Sequence, residues 1–224
     1  MARRSRTRRG WQRRISCLVR FALSVLRRRA TTFNVRQEIM TTHLPSYVVA
    51  EIPEPIRSKI QTMRESFGTP TALLPVEITL LGSSGVGPIP AGTPIQTIQE
   101  QIDLLFAPIA PWTVSFAEIK AFPNTAIAYL SPVDRNCFDR IHAILRAPAI
   151  PHTESAFPFH PHCSLRSGAA TPEELSRVLK HSFPVEQFWI DTISVFDFDS
   201  SAVHCDLIYR RTLTAEQDAP SNGG

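Results

Sequence analysis

The chain has 224 residues with a hydrophobic fraction of 43%, which can fill a core, excludes a disordered polypeptide and suits one domain or two small lobes. The net charge of +4 hides an asymmetry. Residues 1–39 hold twelve arginines and one acid, Glu38, whereas the remainder holds 12 basic against 19 acidic residues and carries −7.

The Arg-rich segment 1–39 has three open readings: a mitochondrial presequence, a nucleic-acid or membrane-surface arm, or sequence preceding a true start at Met40. Its apolar middle, Ile15 to Leu26, is 12 residues long and interrupted by Arg20, too short for a span of roughly 20. Cys17, Cys137, Cys163 and Cys205 show no CxxC spacing and read as reduced thiols of a cytoplasmic protein. A genuine presequence would instead make the protein mitochondrial.

Ser46 to Ile52 reads as a strand. Ile56, Ile60, Met63 and Phe67 recur at helical spacing, ended by Gly68. PVEITLLGS (75–83) is the next strand, followed by the loop GSSGVGPIPAG. Thr93-Pro94 with Gln96 reads as a cap and capping box, and Ile95, Ile98, Ile102 and Leu105 stripe the helix it opens. Trp112–Ala121 and Thr125–Leu130 form a strand pair turning at Pro123-Asn124. Ser131-Pro132-Val133-Asp134 reads as a cap for the helix of Phe138, Ile141 and Leu145. A proline-rich linker leads to strand FHPHCSLRS (159–167). Thr171-Pro172-Glu173-Glu174 caps a last helix, and strands 187–198 and 202–210 close the chain.

The order of motif strand, glycine loop, Thr-Pro cap and strand pair occurs twice, with the motif strands 85 positions apart. This predicts a duplicated α+β domain over 40–212, with lobes at about 45–130 and 131–212 and a disordered tail at 213–224. Alternation along a strand puts Glu77 and Thr79 on one face. By the same rule His160, His162, Ser164 and Arg166 share a face, with Cys163 and Leu165 opposite. Facing across a groove, these groups suit a phosphodiester. Thr79 and Ser164 can donate to phosphate oxygens, Arg166 can neutralise charge, and His162 can exchange protons near neutral pH. No four ligands appear at recognisable zinc spacing, so no metal and no cofactor is expected.

The paired motifs Glu77-Ile78-Thr79-Leu80 and His162-Cys163-Ser164-Leu165 resemble the H-x-[S/T]-Φ pair of the two-histidine (2H) phosphoesterase superfamily, which includes LigT-like 2′-5′ RNA ligases and cyclic nucleotide phosphodiesterases. The resemblance spans about Pro45 to Thr212, with Glu77 where the family has histidine. It implies a bilobal fold of two antiparallel sheets facing a central cleft, with helices outside. It also implies His162 as a catalytic residue and Thr79 and Ser164 as phosphate ligands. The implied partner is a nucleotide or RNA end bearing a cyclic or 2′-5′ phosphodiester, met by a monomer. Glu77 leaves two outcomes open. As an ionised general base it would raise the pKa of His162 and favour an imidazolium acid. Paired permanently with His162 or Arg166, it would leave an inactive member that binds a phosphate-bearing ligand or a protein. Gly82–Gly87 lacks the ending of a phosphate loop and reads as a flexible lip. Trp112, Phe116 and Tyr129 are core or cleft-wall candidates, and His142 is structural.

Overall fold

The computed structural model describes residues 39–146, 150–184 and 186–214. The Arg-rich stretch 1–38 and residues 215–224, with the readings attached to them, lie outside the described residues. Among the described residues no helix is long and apolar enough to cross a membrane.

The elements run β1 (Ser46–Glu51), α1 (Ile56–Ser66), a 3-10 turn (Pro70–Leu73), β2 (Glu77–Leu81), α2 (Ile95–Phe106), β3 (Trp112–Val114), β4 (Phe116–Ala121), β5 (Ala128–Pro132), α3 (Asn136–Leu145), β6 (Cys163–Arg166), α4 (Pro172–Leu179), β7 (Phe188–Ile190), β8 (Thr192–Asp199) and β9 (His204–Thr212). The result is an α+β fold with antiparallel sheets and four helices.

The strand order shows how the duplication is built. One sheet runs β2-β1-β8-β9, a second β4-β5-β6, and β3 pairs with β7 alone. Each repeat is therefore β-α-β-α-β-β: β1 to β4, then β5 to β8, with β9 appended. The last strand of each repeat crosses to the other repeat's sheet, where β8 joins β1 and β4 joins β5. The expected lobes at 45–130 and 131–212 are corrected on two counts. Residues Ala128–Pro132 open the second repeat rather than closing the first, and the exchange builds the four-stranded sheet from both ends of the domain, β1 and β2 with β8 and β9. One hydrophobic core draws on both repeats.

Local signals explain several boundaries. Thr171 accepts from the Glu174 N–H while the Glu174 carboxylate accepts from the Thr171 N–H, a complete capping box. The expected box at Thr93 does not form, because the Thr93 hydroxyl donates to the Pro90 carbonyl at 2.7 Å and closes the preceding loop instead. Ser131 and Pro132 stay in β5, and the Asp134 carboxylate accepts from the Asn136 N–H. The predicted strand over 159–167 narrows to Cys163–Arg166, since Pro161 has no N–H for a ladder. Leu213 is buried and its N–H donates to the Asp191 carbonyl, so packing continues past the predicted tail boundary.

Candidate active site

The motif strands β2 and β6 are edge strands of their sheets and lie against each other. Both carry a bulge at the same point. Across β1, Thr79 opposes Val49 while Leu81 opposes Val48, leaving Leu80 as the extra residue. Across β5, Ser164 opposes Tyr129 while Arg166 opposes Ala128, leaving Leu165 extra. A bulge resets the alternation of faces. The residue after it, Leu81 in one copy and Arg166 in the other, therefore leaves the face of the hydroxyl residue.

This corrects the expected placement of Arg166, which does not join His162 and Ser164. Only 6% exposed, it donates to the Ala169 carbonyl at 2.9 Å and lies 3.5 Å from the Glu174 carboxylate on α4. Strict alternation from His162 missed the bulge.

Bulges leave backbone carbonyls needing donors, and each is served by a buried basic side chain from the other repeat. The Arg64 guanidinium on α1, 1% exposed, donates through Nε to the Ser164 carbonyl at 2.8 Å and through Nη1 to the Leu74 and Pro75 carbonyls, each at 2.9 Å. Nδ1–H of His142 on α3 donates to the Leu80 carbonyl at 2.9 Å, and the ring stacks on Phe159. His142 thus has the structural place expected of it. Arg64 was not anticipated, although its i+4 spacing from Ile60 continues the buried stripe and signalled it.

On the four-stranded sheet, Thr79, Val49, Ser194 and Arg210 oppose one another in a row across all four strands, so they share a face. Glu77 and Glu51 form the next opposed pair on that face. Arg210 pairs with Glu51 at 2.8 Å. Glu77 and Thr79 line a cavity of about 150 Å³ whose other walls are mainly apolar, with Tyr47, Phe196, Phe198 and Leu74 among them. The Thr79 hydroxyl donates to the Glu77 carboxylate at 3.1 Å. Burial in these walls pushes the Glu77 carboxyl from 4.5 up to about 7, against the opposing pull of Arg64 and the Thr79 hydroxyl. The alternation in TISVFDFD could have signalled Phe196 and Phe198 as cavity walls.

On the facing sheet, His162 stands one residue before β6, with its ring edge-on to Phe122 and Tyr129, whose own rings stack at 4.3 Å. Of the three aromatic candidates, Trp112 and Phe116 belong to the core, and Tyr129 packs beside His160 and His162. His162 Nδ1 lies 2.7 Å from the His160 carbonyl. A carbonyl only accepts, so Nδ1 carries the proton and Nε2 keeps its lone pair. Burial holds the His162 pKa below its ordinary value, opposed by the bond to His160 and reinforced by the charge of the His160 ring.

Desolvation thus favours the neutral form of both groups. Among the described residues Glu77 forms no ion pair with His162 or Arg166. The cysteine inside the second motif is inert to this chemistry. Cys163 is buried against Arg64 and Glu77, and burial pushes its thiol to about 11.

The glycine loop is knit to the chain opposite it. The Gly85 N–H donates to the Phe157 carbonyl at 2.7 Å, the Gly87 N–H to that of Thr153 at 2.8 Å, and the Ser84 hydroxyl accepts from the His160 N–H at 3.2 Å. Ser84 thereby supports the His160–His162 segment, and the expected flexible lip is a bonded strap. Among the described residues no cluster of three or more metal-ligating side chains occurs.

Residues 52–202 match the family model of the 2′-5′ RNA ligase superfamily. Among solved structures, the chain is similar to TT0787 of Thermus thermophilus, with 16% identity, a TM-score of 0.56 and coverage of 77% of this chain and 100% of that one. It is also similar to Escherichia coli LigT complexed with 3′-AMP, with 16% identity, a TM-score of 0.52 and coverage of 77% and 99%. At this identity the likeness shows the fold. No curated protein sequence matches the chain.

Proposed function

We propose, since the chain belongs to the 2′-5′ RNA ligase superfamily, that it opens cyclic or 2′-5′ linked nucleotide phosphodiesters with Glu77 and His162 as its proton-transfer pair. The observation carrying this reading is that desolvation moves the pair to complementary neutral forms: a carboxyl with a pKa of about 7 and an imidazole held below its ordinary pKa. His162 Nε2 then takes the proton of the attacking water, and protonated Glu77 gives its proton to the departing ribose oxygen. A protonated Glu77 also removes the repulsion that an ionised carboxylate would exert on the phosphate. Thr79 and Ser164 are the proposed donors to the phosphate oxygens, and Arg210, in the Thr79 row and paired with Glu51, is the proposed cation on that face. Similarity to a protein complexed with 3′-AMP agrees with a nucleotide ligand.

The test uses the full chain with EDTA, 2′,3′-cyclic nucleotides and a 2′-5′ dinucleotide, beside His162→Ala, Glu77→Gln and Glu77→His. Wild type is expected to turn over, with His162→Ala and Glu77→Gln each slower by about 10²–10⁴-fold. An inert wild type with an active Glu77→His would reject the reading and leave a silenced site that only holds its ligand.

A further inference from the structure

The displacement of Arg166 from the cleft gives it a different environment. It lines a second cavity, of about 320 Å³, between the C-terminal end of α1 and α4, with Phe67, Glu174, Arg177, Val178 and His181 in the same wall. Two guanidiniums face one carboxylate there. That carboxylate is already engaged, since Glu174 accepts from the Thr171 N–H at 2.9 Å in the capping box. Arg166 Nη2 is used on Ala169, but its buried Nη1 has no hydrogen-bond partner among the described residues. Leaving a buried charged donor unpaired costs more than leaving a neutral one. Leu81, at the same point of the first repeat, is fully buried and apolar, so the fold does not require a cation here.

We propose that this cavity is a binding site for a phosphate-class oxyanion, distinct from the cleft and independent of whether the cleft turns over substrate. Arg166 supplies a fixed, largely desolvated guanidinium, and Arg177 and His181 supply donors from the exposed rim. Guanidinium groups suit tetrahedral oxyanions because their paired N–H groups match two oxygens. The volume is several times the roughly 30 Å³ share of a water molecule, which leaves room for a phosphate group with water retained beside it.

The experiment titrates the full chain with inorganic phosphate against chloride at matched ionic strength, reading Tm and binding heat. A phosphate-specific rise in Tm is expected. Arg177→Gln, an exposed position that keeps the fold, should weaken phosphate binding by about threefold to tenfold. Glu174→Gln should strengthen it, because the amide can still accept in the capping box while the competing charge is gone. The double variant Thr79→Ala/Ser164→Ala, which removes the cleft's proposed phosphate donors, should retain the part of the effect that Arg177→Gln weakens. Absence of a phosphate-specific effect, or one lost in the Thr79/Ser164 variant and kept in Arg177→Gln, overturns the proposal. A 5′-phosphorylated trinucleotide and its 5′-hydroxyl twin identify the source. Competition by the phosphorylated form alone assigns the site to nucleic-acid ends, and competition by neither assigns it to the free anion.

Discussion

Replacing Glu77 by glutamine keeps the shape of the side chain and removes its ability to ionise. Burial lifts the Glu77 carboxyl from 4.5 to about 7 in the folded protein. Each pKa unit is worth about 1.4 kcal/mol, so ionising Glu77 in the folded state costs about 2–3 kcal/mol after allowance for the side chain's partial exposure. Between pH 4.5 and 7 the folded state holds more protons at this group than the unfolded state, so its contribution is fully present at acid pH and lost as pH rises through about 7. Denaturant unfolding of wild type and Glu77→Gln across pH 4 to 8.5 reads the difference directly, other titrating groups being common to both. The variant should gain on wild type by about 2–3 kcal/mol over that range, with the change centred between the two pKa values. A difference that stays flat would refute both the desolvation argument and the assignment of Glu77 as an acid at neutral pH.

Two further substitutions probe the supports of the motif strands. Arg64→Met strips donors from the Ser164, Leu74 and Pro75 carbonyls and should cost about 3–5 kcal/mol in chemical denaturation. Because Arg64 holds the Glu77 pKa down, the same variant should move the Glu77 carboxyl titration, followed by carbon NMR, above its wild-type midpoint. Gly85 has φ +75° and sits where a Cβ would collide with the His142 ring and the Phe159 side chain. Gly85→Ala should therefore cost about 3 kcal/mol, seen as a Tm drop of about 6–12 °C.

Much of this fold was legible because local signals agreed with one another. The motif strand Glu77–Leu81 lies inside the run predicted from its β-branched and apolar residues, and Thr171 with Glu174 marks its helix start unaided. Strand exchange was not legible, since an element order does not say which sheet a closing strand will join. Nor were the bulges. Leu80 and Leu165 look like ordinary inward residues, and only the pairing registers show that each adds a residue to its strand. That one detail decided the placement of Arg166, whose charge had suggested the cleft. Arg64 was hidden by its type rather than by its position, because a charged residue in a buried stripe is read as an interruption unless the backbone carbonyls waiting for it are known.

On the proposed reading, a glutamate at position 77 has a physical logic in the cavity that surrounds it. The apolar wall of Phe196, Phe198 and Leu74 penalises any charge. An imidazole there would lose its proton at neutral pH, all the more with the Arg64 guanidinium close enough to act on the carboxyl now present. It would then stand neutral opposite a His162 that burial also holds neutral, giving two bases and no acid. A carboxyl responds to the same wall in the opposite direction, retaining its proton where an imidazole would release it. In the proposed mechanism a single environmental effect therefore yields a base at His162, just before β6, and an acid at Glu77 on β2, but only because the two groups are chemically unlike. On this reasoning the glutamate and the apolar cavity belong together. Glu77→His without a change that also opens the cavity to water should fail to improve the site at neutral pH.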